Sequence, residues 1–342
     1  MLPKASGLLG NFQSKTNNLP LYQLLSQIVR EAAPASGGGS AEISPAVYPV
    51  YLGGPYPTIA SAITQAVNDG HNIGDPATIL ISPRNDNLGW SEDIVLQPGI
   101  NIQGVWSWQE YSVLINGTIS YTPGSGGAPV QKVNVSNLWV QAPAGRPCIE
   151  VIGSALGKLY VKDCLLSKVV VGDATPVVVM NGNASSTLFL TNCTGNILGP
   201  GMAYQITSGR FAATDCDISG GNSARGLEIG ASGSADLTGT TLACTGPDVV
   251  SVVQGGIYTL TRCRVQQSQA NGSGIVQQGD GVANTGTSIE CTFTVPTGAG
   301  YVVQGTGKWL NAANVFTGNA NVLSAAPGQI VPVSLATSYV TV

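Results

Sequence analysis

Between positions 20 and 33, PLYQLLSQIVREAA, apolar residues return every three or four positions. Leu21, Leu24, Leu25, Ile28, Val29 and Ala32 share one face, which predicts an amphipathic helix, and Pro20 suits its first turn. The glycine- and serine-rich PASGGGS at 34–40 then reads as a flexible linker. A second helix is predicted at 58–69, with Thr58 as its cap, Gly70 as its terminator and Ile59, Ala62, Ile63, Ala66 and Val67 as its apolar stripe. Beyond it the rhythm shortens. ATILISP, DIVLQPG, INIQGV and SVLINGTISY are rich in Val, Ile and Leu and punctuated by Pro and Gly, the pattern of short strands.

From residue 133 the strands repeat. VSNLWV, VKDCLL, LTNCTG, ATDCDI, LTGTTL, LTRCRV and SIECTF align on Leu138, Cys164, Cys193, Cys216, Thr240, Cys263 and Cys291. The anchors recur at uneven but similar intervals, a period of the size that marks a solenoid. The repeat also carries a bend. Val161, Cys164 and Leu166 cannot all point inward on a straight strand, whose side chains alternate with period two. A tight turn at the residue before each anchor resolves this. Those residues are Asn137, Asp163, Asn192, Asp215, Gly239, Arg262 and Glu290, and five of the seven are types that tolerate a left-handed backbone. The expected fold is therefore all-β, a right-handed, single-stranded parallel β-helix. Residues 1–40 form a helical segment and linker, and residues 41–342 form the β-helix with its cap helix and a β-prone C-terminal tail.

The layout resembles the pectin-lyase-like β-helix superfamily. YPTIASAITQAVNDG, ATILISP and SEDIVLQPGINIQGV resemble its opening segment, most of all in pectin methylesterases, where a helix caps the open end before the first strands. The resemblance covers roughly residues 48–320. It implies the fold, and a superfamily whose enzymes act on acidic polysaccharides.

Composition narrows the possibilities. Charged residues make up 9% of the chain against roughly 25% in an average globular protein, while 43% are hydrophobic, which argues for short packed strands rather than disorder. The net charge is −4 and no basic patch is visible, so nucleic acid is not an expected partner. No apolar run reaches the length of a membrane span, and no secretory signal is read at the N-terminus.

Seven cysteines leave at least one unpaired, and five of them, Cys164, Cys193, Cys216, Cys263 and Cys291, share one repeat position. They are expected to stack about 4.8 Å apart as a buried, reduced thiol ladder. Cys148 and Cys244 fall off it. With no CxxC pair and His71 as the single histidine, no metal site and no cofactor are expected.

The motifs that the resemblance would bring for catalysis are absent. There is no Asp-Phe-Ile-Phe-Gly segment as in the methylesterases, and no Asn-Thr-Asp, Gly-His-Gly or Arg-Ile-Lys segment as in polygalacturonases. Two carboxylates could still act on a glycosidic bond. Asp163 and Asp215, with Asp217 beside the latter, are the weak candidates, and their turn position explains them better. Glu92 and Asp93 read as solvated. Trp90, Trp106, Trp108 and Tyr111 cluster in the early strands, either as core packing or as a surface for a ligand or partner.

The expected function is a non-enzymatic component of a virus particle: a tail spike, fibre or capsid-surface protein presenting a rigid rod. The stripe Leu21, Leu24, Leu25, Ile28 and Val29 would drive assembly, as a homotrimer and onto other virion proteins, with host-surface polysaccharide as the ligand. The alternative is a polysaccharide-active lyase, hydrolase or esterase.

Overall fold

The computed structural model describes residues 46–84, 88–105, 113–123, 130–153, 155–221, 224–253, 255–269, 272–277, 285–296, 298–303, 308–318, 321–324 and 330–332. Neighbouring strands pair in parallel, and the chain winds as the expected parallel β-helix. One coil shows the plan. Gly157–Lys162 runs along a first face, Asp163 turns the corner, Leu165–Lys168 runs along a second, and Val178–Asn181 along a third. Thr187–Thr191 then lies on Gly157–Lys162 and starts the next coil.

The interior follows from alternation. Val135, Val161, Leu190, Ala213, Leu237 and Leu260 are register partners from coil to coil, all pointing inward and buried. Large and small side chains complement one another between rungs. Tyr258 pairs with Gly286, where a β-carbon would lie 2.2 Å from the tyrosine ring. Phe293 and Phe316 stack with centroids 4.8 Å apart.

The corner between first and second faces is one residue wide. All seven residues predicted for the bend have positive φ, from 50° at Asn192 to 61° at Gly239. Ala313, at 51°, adds an eighth corner that the repeat pattern did not reach. Val161, Cys164 and Leu166 are all buried, as the bend requires.

Where the anchor after the corner is Cys or Thr it has a task beyond filling space, whereas Leu138 only packs. The Cys or Thr side chain donates to the carbonyl two residues earlier, from Cys164 to Lys162 at 3.2 Å, from Thr240 to Thr238 at 3.2 Å and from Cys291 to Ile289 at 3.3 Å. Three anchors also accept the backbone N–H of the anchor one coil before. Thr240 Oγ1 takes that of Cys216, Cys291 Sγ that of Cys263, and Asn314 Oδ1 that of Cys291. Cys, Thr and Asn interchange here because each offers a small acceptor to a buried donor.

At the third corner two coils depart from the plan. Met202–Thr214 and Arg225–Thr238 run unbroken from the third face onto the first, and so join the two faces into one 20-stranded sheet. The second face remains a separate nine-stranded sheet.

The cap helix spans Ile59–Asn68, with Thr58 and Ser61 forming a reciprocal capping box. Ile59, Ala62, Ile63 and Ala66 are buried, but Val67, counted in the stripe, is 45% exposed. The predicted helix at 20–33, its stripe Leu21, Leu24, Leu25, Ile28 and Val29, and the tail past residue 332 lie outside the described residues.

Candidate active site

The third face carries the most concentrated chemistry among the described residues. On Arg225–Thr238 the side chains of Arg225 and Glu228 are half-buried, and on Asp248–Val252 so is that of Asp248. The residues between them, Leu227 and Ile229 with Val249 and Val250, are fully buried and fix the register. That register follows from the pairing of Leu227 with Val250, and it places Arg225 level with Asp248 on the adjacent rung.

The arginine is shared. Nη1 lies 3.9 Å from Glu228 Oε2, and Nη2 lies 3.6 Å from Asp248 Oδ2. Two contacts to one planar guanidinium keep the carboxylates within about 10 Å of each other, on the scale separating the paired carboxylates of glycosidases. From the previous rung, Gln205 Nε2 donates to Glu228 Oε1 at 3.3 Å. The Asp248 side chain is 14% exposed. Burial pushes its carboxyl above the ordinary range, and Arg225 pulls the other way without cancelling the shift. The arrangement is one carboxyl biased toward its protonated form, a second carboxylate held by an amide, and a fixed cation between them.

The sequence reading missed this trio, although a signal exists. Arg225 stands as far ahead of its anchor Thr240 as Asp248 does ahead of Cys263. An equal offset from stacked anchors places both side chains on one line.

The residues that the sequence singled out lie elsewhere. Asp163 and Asp215 are corner residues with φ of 53° and 52°, on either side of Asn192 in the same column. Asp163 Oδ1 accepts Asn192 Nδ2 at 2.6 Å, and Asp163 also faces Lys162 at 3.6 Å. Asp217 is exposed on the second face. The three carboxylates decorate an outer edge, and the left-handed backbone accounts for two of them. Trp90 is not a surface platform. It is 3% exposed, its indole N–H donates to Ser82 O at 3.0 Å, and Arg84 lies over its ring. Trp106, Trp108 and Tyr111 lie outside the described residues.

Glu92 and Asp93 are not idle solvated charges either. Glu92 accepts the first N–H groups of the cap helix. Asp93 accepts Thr118 N at 3.0 Å and pairs with Arg146 at 2.6 Å. Burial opposes its charge, yet these two partners hold its carboxyl below the ordinary range.

Cys164, Cys193, Cys216, Cys263 and Cys291 are buried free thiols, as are Cys148 and Cys244. Each of the five ladder thiols donates to the carbonyl two residues earlier, and Thr240, between the two runs, does the same. Burial pushes the Cys244 thiol up to about 12 and that of Cys148 up to about 11. No three His, Cys, Asp or Glu side chains gather as a metal would need among the described residues.

No family model matches the chain, and no curated protein does. Solved structures do. The A-module of a mannuronan C-5 epimerase from Azotobacter vinelandii is 12% identical over 85% of this chain and 99% of its own, with a TM-score of 0.43. The catalytic unit of a thermostable GH87 alpha-1,3-glucanase from Streptomyces thermodiastaticus is 11% identical over 80% and 65%, with a TM-score of 0.35. A DFA-IIIase from Arthrobacter chlorophenolicus, in complex with DFA-III, is 12% identical over 86% of each chain, with a TM-score of 0.38. These neighbours are carbohydrate-active enzymes and none is a virion protein, which corrects the expectation of a non-enzymatic virion component. At such identities the likeness is one of architecture: by its fold, the chain is a parallel β-helix.

Proposed function

We propose that the chain is a polysaccharide-active enzyme that hydrolyses glycosidic bonds on its third face. The observation that carries this reading is the sharing of Arg225 between Asp248 and Glu228. Asp248, held toward its protonated form by burial, gives its proton to the glycosidic oxygen. The bond from that oxygen to the anomeric carbon breaks. A water molecule adds to the carbon and gives up a proton to Glu228, which balances the step. Arg225 keeps positive charge beside both carboxyl groups before substrate arrives.

Incubating the full chain with a panel of neutral and acidic polysaccharides, with reducing ends as the readout, tests the reading. Hydrolysis of one panel member is expected, falling by a factor of about 10²–10⁴ in Asp248→Asn and in Glu228→Gln. Absence of cleavage across the panel would overturn it. So would unsaturated products, which signal elimination, or full activity in both variants.

A further inference from the structure

The polar line on the third face continues past Glu228. Its register partner on the next rung is Ser251, and the partner of Ser251 one rung further is Val276. On the other side of Glu228 stands Gln205, preceded by Val179. Side chains at paired positions of parallel strands leave the sheet on the same side, about 4.8 Å apart from rung to rung. Gln205, Glu228 and Ser251 therefore form a short polar row between two valines.

Ser251 is the unusual member of this row. Val250 and Val252 on either side of it point into the core, so its own side chain points out, yet it is only 2% exposed and Val276 beside it 7%. A hydroxyl covered to that degree normally has a hydrogen-bond partner. Gln205 donates to Glu228, and Arg225 lies against the same carboxylate, but among the described residues no group bonds Ser251 Oγ. Two other partnerless hydroxyls, those of Tyr204 and Tyr258, are sealed in the core. The Ser251 oxygen differs from them, because water can still reach it. The opening beside Glu228 thus ends on a free hydroxyl and is too narrow for a bulkier group.

We infer that Ser251 and Glu228 hold one water molecule between them, and that this water is the one that attacks the anomeric carbon. The inference rests on the hydrolytic reading of the third face. The water donates one O–H to the Glu228 carboxylate and the other to Ser251 Oγ, which leaves a lone pair directed toward substrate. On attack, the proton facing Glu228 passes to that carboxylate, and the O–H facing Ser251 stays with the product as its new hydroxyl. Gln205 and Arg225 occupy other sides of Glu228, so the serine fixes where the nucleophile stands. It also sets a preference: a nucleophile larger than water does not fit against Ser251, so hydrolysis prevails over transfer of the sugar to an alcohol.

A crystal structure of the full chain decides the water itself. An ordered water within hydrogen-bond distance of both Ser251 Oγ and a Glu228 oxygen is expected, and it should be lost or displaced in Ser251→Ala. Finding no such water, or the same water unmoved in the variant, overturns the inference whether or not any polysaccharide is cleaved. Kinetics on the polysaccharide that the chain hydrolyses decide the role of the water. Ser251→Ala should lower kcat by about tenfold or more with KM unchanged. With methanol added, the share of methyl glycoside among the products should rise in Ser251→Gly, which a merely structural defect would not cause. An unaltered kcat in the alanine variant, a change confined to KM, or an unaltered methanol share overturns the role and leaves the carboxylate pair standing. Full activity in both Asp248→Asn and Glu228→Gln, or no cleavage at all, sinks the hydrolytic reading instead, and the nucleophile role falls with it.

Discussion

Glu92 closes the helix that begins at Ile59: Oε1 accepts Ile59 N at 2.9 Å, and Oε2 accepts Ala60 N at 3.0 Å. One carboxylate from the next coil thus satisfies two of the donors that every helix leaves open at its start, where negative charge is also favoured. The cap helix is fastened to the solenoid by a polar clasp as well as by its buried stripe.

Removing the clasp has a defined cost. Glu92→Ala is expected to destabilise the protein by about 1–2 kcal/mol, the range of a lost helix cap, and Glu92→Gln by less, since one acceptor oxygen remains. Thermal unfolding and exchange rates of the Ile59 and Ala60 amides read this directly. An unchanged midpoint in the alanine variant would show that the clasp contributes nothing.

At the anchor column, Cys291→Ala would leave the buried N–H of Cys263 without its acceptor and is expected to cost about 1–3 kcal/mol. Cys291→Thr should cost less, because Thr240 already performs the same exchange at the equivalent site. Denaturant midpoints decide between them, and equal losses would contradict the acceptor role. In the native protein all seven thiols should resist a thiol reagent and become reactive only on unfolding, since all seven are buried out of its reach.

Lys168 and Asp173 form an ion pair with side chains 0% and 7% exposed. Lys168 also donates to Arg146 O at 2.6 Å, so it pins two corner loops together. Lys168→Met strands a buried carboxylate and is expected to cost about 3–5 kcal/mol. Burial works against the Asp173 charge, but hydrogen bonds from Lys168, Thr175 and Gly145 hold its carboxyl well below the usual range. The sign follows: its contribution is full above the unfolded carboxyl value of about 3.9 and fades as pH falls toward the depressed folded value. Unfolding free energy followed from pH 6 downward should decline less steeply in Asp173→Asn than in the parent; parallel slopes would refute the linkage.

The corner column gives opposite expectations for two small residues. Ala313 holds φ at 51°, a conformation that costs a residue with a β-carbon about 1 kcal/mol, so Ala313→Gly should stabilise slightly or be neutral. Gly239→Ala should destabilise by about 1 kcal/mol or more, because its β-carbon would also meet Asp215 Oδ1 at 2.4 Å. Paired melting curves check the signs, and matching signs would count against the corner as the cause.

How far the chain could be read follows from the same residues. The corners were legible because a left-handed backbone selects Asn, Asp and Gly, and five such residues recurring beside anchors disclose the coil. Ala313 and Asn314 escaped notice because neither looks like the corner and cysteine that came before, although both do the same work. The roles of Glu92 and Lys168 were out of reach, since their partners come from other coils or other loops of the same column. The trio on the third face was masked by loops of variable length: uneven anchor spacings hide which charges stack, unless positions are counted back from the next anchor.

The two long strands, Met202–Thr214 and Arg225–Thr238, have a mechanical meaning. Elsewhere each coil is jointed at three corners, and a joint is where a solenoid can flex or begin to open. Where these strands cross from one face to the next, one strand carries the pairing around the corner, and a register shift between Ile206 and Ser208 marks the bend among eleven register pairs. Fraying that advances coil by coil from an end has to part both faces of this pair together before it can pass. Arg225 and Glu228 ride on one of these strands, so the charged trio is tied to two faces of the coil at once.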